Sequence, residues 1–289
     1  MAVQMPAMTE AQTAGWSALL DLHDRRPTGW TLVGGQMVHL HCAERGSSPA
    51  RPTDDIDTVL DVRAEPQVLW DITRELASLG FVSAGESHSG HQHRWVRDNA
   101  SIDILIPRHL GVRASSRRGF GGGTTIETKA AQQALDRTHD VGVTISGREG
   151  TVRRPSMLGS LVAKSAAYTI PLDTGRDRHL TDLAVLSTLV VAADRLHDAT
   201  RRDLRYLYTA LGALAASPRI LGGVEGADDG LRRVRLALSR AQVLRETPAT
   251  SPGAAGRSAQ AFPPHRTVRD APARQPGGPL PGAGGRHQS

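Results

Sequence analysis

The sequence predicts an α/β (α+β) fold in which a mixed sheet with flanking helices is followed by a helical second half. Up to residue 152, short β-branched segments alternate with segments of helical periodicity, and some strand segments directly follow one another. After Pro155 the apolar residues recur at helical spacing, and from Thr247 onward Pro and Gly dominate. We therefore expect an α/β domain over residues 1–154, a helical domain over 155–246 and a disordered Pro/Gly/Arg-rich tail over 247–289.

The first predicted elements alternate between helix and strand. An opening segment with apolar residues at helical spacing ends at a Pro-Thr-Gly sequence, and a short apolar strand then runs into Gly34-Gly35. Further along, a Pro opens a helix and a Gly closes it. The elements predicted for this part are helices over 9–26, 36–45 and 66–79, and strands over 30–33 and 55–62.

The remaining elements comprise more strands and then helices. Strand patterns occupy 81–84, 93–96 and 100–106, and return over 141–145 and 151–152. Between them, residues 112–125 are rich in Gly, Arg and Ser, which predicts a mobile segment. Helical periodicity then covers 158–168, 179–196, 199–214 and 230–244.

The basic character of the chain belongs mostly to its last 43 residues. The formal net charge is +6, and residues 247–289 contain five Arg and one Asp, so this tail supplies +4 of it. The same segment holds 8 Pro and 7 Gly, a composition typical of disorder. The tail is therefore either a contact surface for RNA and other acidic partners or a solvated extension without a specific role.

Cellular location is indicated by what the sequence lacks. Its single cysteine, Cys42, cannot form an intrachain disulfide, and the first residues show neither the basic nor the apolar region of a secretory signal. No apolar stretch reaches the 18 or so residues that a membrane helix needs. We expect a cytoplasmic protein that does not contact a membrane.

Asp55 and Asp57 are the first candidate catalytic residues. Side chains alternate along a strand, so both carboxylates project from one face while Ile56 points into the core. Two adjacent carboxylates are costly unless a divalent cation lies between them or one is protonated, which indicates Mg²⁺ or Mn²⁺. Asp103 is the one acid in the apolar strand 100–106, and it completes a three-carboxylate cluster if the two strands are neighbours. The alternative is that the Asp pair merely solvates the start of a strand.

Gly34 and Gly35 form the second candidate feature. A strand that runs into paired glycines and then a helix presents free backbone N–H groups and the positive end of the helix dipole. Glycine also allows a phosphate to approach the backbone closely. Three carboxylates around a divalent cation, next to a phosphate-binding turn, suit phosphoryl or nucleotidyl transfer, in which Asp103 could also act as the base.

These motifs, in the order GGQMVHLH, RPTDDID and the isolated Asp103, resemble the nucleotidyltransferase fold of DNA polymerase beta and its relatives, and most closely the AbiEii-type toxin nucleotidyltransferases. The resemblance implies that Asp55 and Asp57 bind metal and that Asp103 binds metal or activates the acceptor. It implies nucleotide binding, with the triphosphate on the glycine turn, by a set of residues that comprises Gly34, Gly35, Thr53, Lys164 and Asp182.

Two residues of this set also have simpler explanations. Lys164, on an otherwise apolar helix face, either extends its charged end to solvent or meets an anion such as a phosphate. Asp182 either completes the site or pairs with Arg178 one helical turn earlier.

The resulting hypothesis is a metal-dependent nucleotidyltransferase that moves a nucleoside monophosphate from an NTP to an RNA or protein acceptor. As a toxin of a toxin-antitoxin or phage-defence pair, it would also have a cognate antitoxin as partner. The alternatives are an aminoglycoside-type enzyme with a small-molecule acceptor, and a catalytically silent relative that binds nucleic acid through its basic tail.

Other polar clusters are interpreted without a catalytic role. His88, His91 and His93 could bind a transition metal, but a polar surface loop is the favoured interpretation. The segment 39–44 contains His, Cys and Glu at spacings that separate the faces of a helix, and is a poor ligand set. Arg117 and Arg118 lie in the Gly-rich segment and could form a lid over a polyanion, although a disordered loop is favoured.

Overall fold

Helices and strands alternate along the first 155 residues and helices alone follow. The computed structural model describes residues 2–246, with side chains up to residue 240, and the predicted tail over 247–289 lies outside the described residues. The first elements are β1 (Val3–Gln4), α1 (Glu10–Arg25), β2 (Trp30–Val33), α2 (Gly34–Glu44), β3 (Ile56–Leu60), α3 (Val68–Ser78), β4 (Val82–Ser83), β5 (Arg94–Arg97), β6 (Ala100–Pro107), α4 (Val112–Ser115), β7 (Ile126–Thr128) and α5 (Ala131–Leu135).

The remaining elements complete a second sheet and the helical part. They are β8 (Thr138–Ile145), β9 (Arg148–Pro155), α6 (Met157–Tyr168), α7 (Asp177–Leu189), α8 (Arg201–Ala215), α9 (Pro218–Gly222) and α10 (Ala227–Glu246). The predicted fold class, a mixed sheet with flanking helices followed by a helical C-terminal part, is confirmed. The two parts pack as one compact unit and contribute to one hydrophobic core.

The main sheet has six strands and places β3 beside β6. Its order is β2-β3-β6-β5-β4, with β7 also paired to β6. Strands β3 and β6 run parallel, whereas β2 pairs with β3 and β5 pairs with β6 in antiparallel fashion. A smaller sheet of order β1-β8-β9 packs beside it. The parallel pair at the centre of the main sheet positions the candidate site.

Local signals in the sequence explain the helix starts that frame this sheet. Thr9 caps α1 through a capping box with Gln12, so the helix begins at the predicted place. Pro155 ends β9 and Ser156 caps α6, where the character of the chain changes from strand to helix. Helix α2 begins at Gly34, two residues before the predicted start, because the glycines form its first turn rather than a preceding loop.

The predicted helix over 179–196 was too long. Helix α7 ends at Leu189, and two short 3₁₀ turns, Ala192–Asp194 and Leu196–Asp198, follow it. The Asp194 carboxylate accepts the backbone N–H of Val191 at 2.8 Å, which gives the chain a local alternative to helical hydrogen bonding. Arg195 then adopts a left-handed conformation, which ends the helical path.

The Gly-rich segment over 112–125 contains contacts that its composition did not indicate. It includes the one-turn helix α4, and the Phe120 backbone N–H donates to Thr73 Oγ1 at 2.8 Å. The Phe120 ring packs edge-on against Trp70, with 5.3 Å between ring centroids. These contacts tie the segment to α3, and its predicted mobility stays a prediction.

Candidate functional site

Asp57 and Asp103 lie side by side at the centre of the main sheet. They are direct partners in the parallel register of β3 and β6, and Asp55 lies one residue before β3. Ile56 and the isoleucines of β6 are fully buried on the other face, as the alternation of side chains predicts. All three aspartates line one cleft, so the expected neighbourhood of the two strands is confirmed.

The glycine turn packs directly against this carboxylate wall. Gly34 has φ +70°, and a Cβ at this position would overlap with the Asp57 carboxylate. Both the conformation and the close approach therefore require glycine at residue 34. A Cβ on Gly35 would in turn overlap with the side chain of Thr53, whose carbonyl accepts Gln12 Nε2 at 2.8 Å. Thus the start of α2, Thr53 and Asp57 are held in mutual contact at the floor of the cleft.

Arg94 is the residue of the acidic wall that the sequence interpretation missed. Its Nε and its Nη2 each donate to one oxygen of Asp103 at 2.8 Å. The Nη2 atom also lies 3.4 Å from Asp55 Oδ2. The sequence did contain a signal for this contact. Asp98 and Asn99 form a two-residue hairpin turn, and the register set by such a turn pairs position 94 with position 103. The sequence neighbours of the aspartates supply no cation, but the neighbouring strand does.

Burial raises the pKa of the Asp57 carboxyl to about 6, and the nearby Asp103 carboxylate adds to this shift. Lys164 and Arg94 oppose the shift without cancelling it. Ionised Asp57 is therefore short of positive charge. Among the side chains described, up to residue 240, no group of three or more His, Cys, Asp or Glu is arranged as a metal site, and metal binding by the three aspartates stays a prediction.

Lys164 and Asp182 form a buried ion pair on the opposite side of the cleft. Lys164 Nζ lies 2.7 Å from Asp182 Oδ2, and both side chains are almost completely buried. Arg51 binds the same carboxylate with two hydrogen bonds of 2.9 and 2.7 Å. Lys164 therefore meets an anion rather than solvent, and that anion is a carboxylate of the protein itself. These cations, despite burial, keep the pKa of Asp182 below its usual value.

The alternative pairing of Asp182 with Arg178 is wrong. Arg178 instead donates to Asp173 at 2.9 Å, and His179 Nε2 lies 2.8 Å from the same carboxylate oxygen. Burial, reinforced by the charge of Lys164, lowers the pKa of His179 to about 4, so the imidazole is neutral near neutral pH. Arg178 and His179 both line the cleft. We call this side of the cleft the cationic wall, and its cations are Arg51, Lys129, Lys164 and Arg178.

The cleft between the acidic and the cationic wall has a volume of about 510 Å³, within the usual range for small-molecule and cofactor sites. Its floor is formed by the Gly34-Gly35 turn and Thr53, and Leu105 and the alanines of α5 and α6 give it an apolar side. Such a cleft can accept a ligand that carries a cation on one side, a polyanion on the other and an uncharged body between them.

The other polar clusters lie outside this cleft. In the polar loop, His91 Nδ1 shares a hydrogen bond of 2.9 Å with Thr124 Oγ1. On α2, His39 bonds to the Arg51 carbonyl at 3.0 Å, whereas His41 bonds to Ser160 Oγ at 2.7 Å. These two histidines bond to different partners, and the interpretation of this helix as a poor ligand set stays a prediction.

The comparisons with known proteins include two solved structures of low similarity to this chain. No protein-family model matches the chain, and no curated protein matches it. A crystal structure of an antigenic nucleotidyltransferase-like protein from Paracoccidioides brasiliensis is 16% identical, with a TM-score of 0.45 over 75% of this chain and 94% of that chain. The solution structure of the antibiotic-resistance factor ANT(2'')-Ia is 14% identical, with a TM-score of 0.39 over 73% of this chain and 97% of that chain. At these identities, the function rests on the residues of the site itself.

Within residues 2–246, no helix is both long and apolar enough to cross a membrane.

Proposed function

We propose that this protein transfers a nucleoside monophosphate from an NTP to a hydroxyl group of an acceptor. The observation that carries the proposal is the direct pairing of Asp57 with Asp103, beside Asp55 and against the helix start at Gly34. Acidic strand residues and a glycine-rich helix start are the two halves of a site for a metal-bound triphosphate. Their contact in one cleft supports the proposal more strongly than either does alone.

Carboxylate oxygens, which this wall supplies, are the ligand type that a hard divalent cation such as Mg²⁺ or Mn²⁺ prefers. Asp55 and Asp57 would supply oxygen ligands, and a bound cation would oppose the rise in the pKa of Asp57 that burial and the Asp103 carboxylate cause. Both oxygens of Asp103 accept a hydrogen bond from Arg94, which orients the carboxylate, and each oxygen keeps a second lone pair for the cation. A cation held by Asp55, Asp57 and Asp103 would supply positive charge that offsets the charge of the leaving pyrophosphate.

Asp103 is the candidate for activating the acceptor. Its carboxylate, oriented by Arg94, accepts the proton of the acceptor hydroxyl as the hydroxyl oxygen bonds to the α-phosphorus of the NTP. The bond between that phosphorus and the bridging oxygen breaks, and pyrophosphate leaves. The fixed orientation of Asp103 serves this step because proton transfer requires a base within hydrogen-bond reach.

The polyphosphate is held from the other side of the cleft. Helix α2 presents its free N–H groups and positive dipole end at Gly34 and Gly35, and Thr53 lies against them. Lys164 and Arg51 share the single carboxylate of Asp182, so this pair of cations retains positive charge for a phosphate. Lys164 would thus bind phosphate while Asp182 positions it.

We further propose that the acceptor is RNA and that the protein acts as a toxin of a toxin-antitoxin or phage-defence system in the cytoplasm. The resemblance of the GGQMVHLH and RPTDDID motifs to AbiEii-type toxins supports this role. Growth arrest on expression, relieved by a cognate antitoxin, is the expected phenotype. Resistance to an aminoglycoside without growth arrest would instead favour the small-molecule alternative.

The activity is tested with purified full-length protein, each α-labelled NTP, Mg²⁺ and total RNA. We expect transfer of label that requires the divalent cation and is lost in Asp57→Asn. The matched control is Asp54→Asn, because Asp54 is exposed, faces away from the pair and bonds to Thr9 at the surface. Absence of transfer from every NTP, or transfer that survives in Asp57→Asn, would refute the proposed function.

A further inference from the structure

A second pocket, distinct from the cleft, adjoins it along the wall formed by Lys129 and Ala131, which line both. The new pocket has a volume of about 290 Å³ and is bordered by three exposed arginines, Arg63, Arg108 and Arg202. Among the side chains that the structure describes, up to residue 240, these three arginine side chains have no hydrogen-bond or ion-pair partner. The ionised side chains of the cleft, in contrast, are mostly paired with one another.

The charge of this pocket is strongly positive. Asp136 is the one carboxylate among its described lining residues, and Gln132 Nε2 donates to it at 3.0 Å. Uncompensated cations at the mouth of a site attract polyanions and raise their local concentration. They would repel a polycationic acceptor such as an aminoglycoside.

Gln133 is a further polar residue of the pocket lining. It lines the pocket and is only 8% exposed, yet its Nε2 has no hydrogen-bond acceptor within the described residues. The Gln133 Nε2 atom is itself shielded from solvent, so Gln133 adds polarity to the lining, and the three exposed guanidinium groups are the donors that a ligand can reach. A phosphate group supplies both the acceptor oxygens and the negative charge that these guanidinium groups bind.

We propose that this pocket binds a phosphodiester of the acceptor RNA. The inference rests on the proposed function, and it identifies the acceptor as an anionic strand. Arg108 directly follows β6, five residues beyond Asp103, which places it roughly 17 Å along the strand direction from the candidate base. An RNA whose terminal hydroxyl lies at Asp103 therefore places a phosphate several nucleotides upstream in this pocket.

The same geometry separates this phosphate from those of the NTP. The triphosphate belongs at Gly34 and Lys164, inside the cleft, whereas the three arginines lie beyond the wall at Lys129. Loss of the arginines should thus weaken RNA binding and leave NTP binding unchanged. This split distinguishes an acceptor phosphate from a phosphate of the nucleotide substrate.

The test measures binding of a fluorescein-labelled oligoribonucleotide to full-length protein by anisotropy over a range of salt concentrations. The variant Arg63→Ala/Arg108→Ala/Arg202→Ala is expected to bind roughly tenfold or more weakly at low salt. Its salt slope should be smaller by up to about 0.7 for each RNA phosphate that the protein no longer neutralises. In the transfer assay the same variant should show a raised KM for RNA and an unchanged KM for the NTP.

A matched control removes three other exposed arginines that already have carboxylate partners, namely Arg195, Arg219 and Arg232. Its net charge equals that of the pocket variant, so equal weakening of RNA binding in both would overturn the proposal. A second control replaces the five arginines of residues 247–289 by alanine in the full chain. Dependence of binding on these five and not on the pocket would also overturn it.

Failure of this inference is distinguishable from failure of the proposed function. Binding that depends on Arg63, Arg108 and Arg202 in a protein without transfer activity would support the RNA pocket and refute the enzyme. Transfer to RNA with binding and KM unaffected in the pocket variant would support the enzyme and refute the pocket. Transfer to an aminoglycoside that improves in the pocket variant would refute an anionic acceptor.

Discussion

Replacement of Asp57 by Asn should stabilise the metal-free protein while it abolishes transfer. The pKa of Asp57 is raised from 3.8 to about 6, so the ionised carboxylate opposes folding. A shift of two units corresponds to about 3 kcal/mol at neutral pH, and imperfect hydrogen bonding of the Asn amide reduces the gain to roughly 1–3 kcal/mol. For a chain of this size, that raises the melting temperature by about 3–10 °C.

The effect should depend on pH with a defined sign. Because the folded state holds the Asp57 proton more tightly than the unfolded state, the wild type loses stability as the pH rises from about 4 to about 6. The advantage of Asp57→Asn is therefore full above pH 6 and shrinks towards pH 4. Thermal unfolding in EDTA at pH 7.5 and pH 5 measures both quantities.

Addition of Mg²⁺ at pH 7.5 should reduce the difference, because a ligand that binds only the folded wild type stabilises it by about 2.7 kcal/mol at one hundred times its Kd. Asp54→Asn, at an exposed neighbouring carboxylate, should change stability by less than about 0.5 kcal/mol at either pH. If Asp57→Asn unfolds at a lower temperature than the wild type in EDTA at pH 7.5, burial of charge is not the dominant energy at this position.

Two further substitutions test the floor and the cationic wall. Gly46→Ala, whose added Cβ meets nothing, should lower the free energy of unfolding by roughly 1–2 kcal/mol through left-handed backbone strain. Gly34→Ala should lower it by more, because its new methyl group also overlaps with the Asp57 carboxylate. Urea unfolding of both variants measures the difference, and equal losses would contradict the packing. Asp182→Ala should destabilise the fold by about 3–5 kcal/mol, because it leaves Lys164 buried without its partner. The control Asp177→Ala, at an exposed ion pair, should destabilise it by less than about 1 kcal/mol. Similar losses of stability in the two variants would show that solvent reaches Lys164.

The arrangement of the acidic wall was predictable from the sequence because it depends on strand periodicity. Isoleucines alternate with Asp103 in β6 and with the acids around Ile56 in β3, so burial of one face fixes the direction of every carboxylate. Parallel neighbours of this kind then bring Asp57 and Asp103 together. Position 94 was within reach of the same argument, since it required only the hairpin register set by a two-residue turn.

The cationic wall was less accessible, because its contacts join distant parts of the chain. Arg51 lies in the loop after α2, 131 residues before Asp182 of α7, and the two helices pack against each other. A local rule favours a partner of Asp182 one helical turn away, and it failed because Arg178 and His179 instead bind Asp173 in the turn before the helix. Helix periodicity predicts which face is buried, but it does not predict which buried charges meet across two helices.

The charges of the cleft explain why a metal-bound triphosphate suits it better than either component alone. On one wall three carboxylates face a single guanidinium, so that wall remains negative; on the other, Arg51 and Lys164 share one carboxylate, so that wall remains positive. A free triphosphate would be repelled by the first wall and a free cation by the second. An ion paired with its phosphates satisfies both walls at once. Arg94 already neutralises part of the negative charge of the first wall, and Asp182 neutralises part of the positive charge of the second. A bound substrate therefore interacts with the net charge that is left on each wall, and this net charge determines which ligands bind.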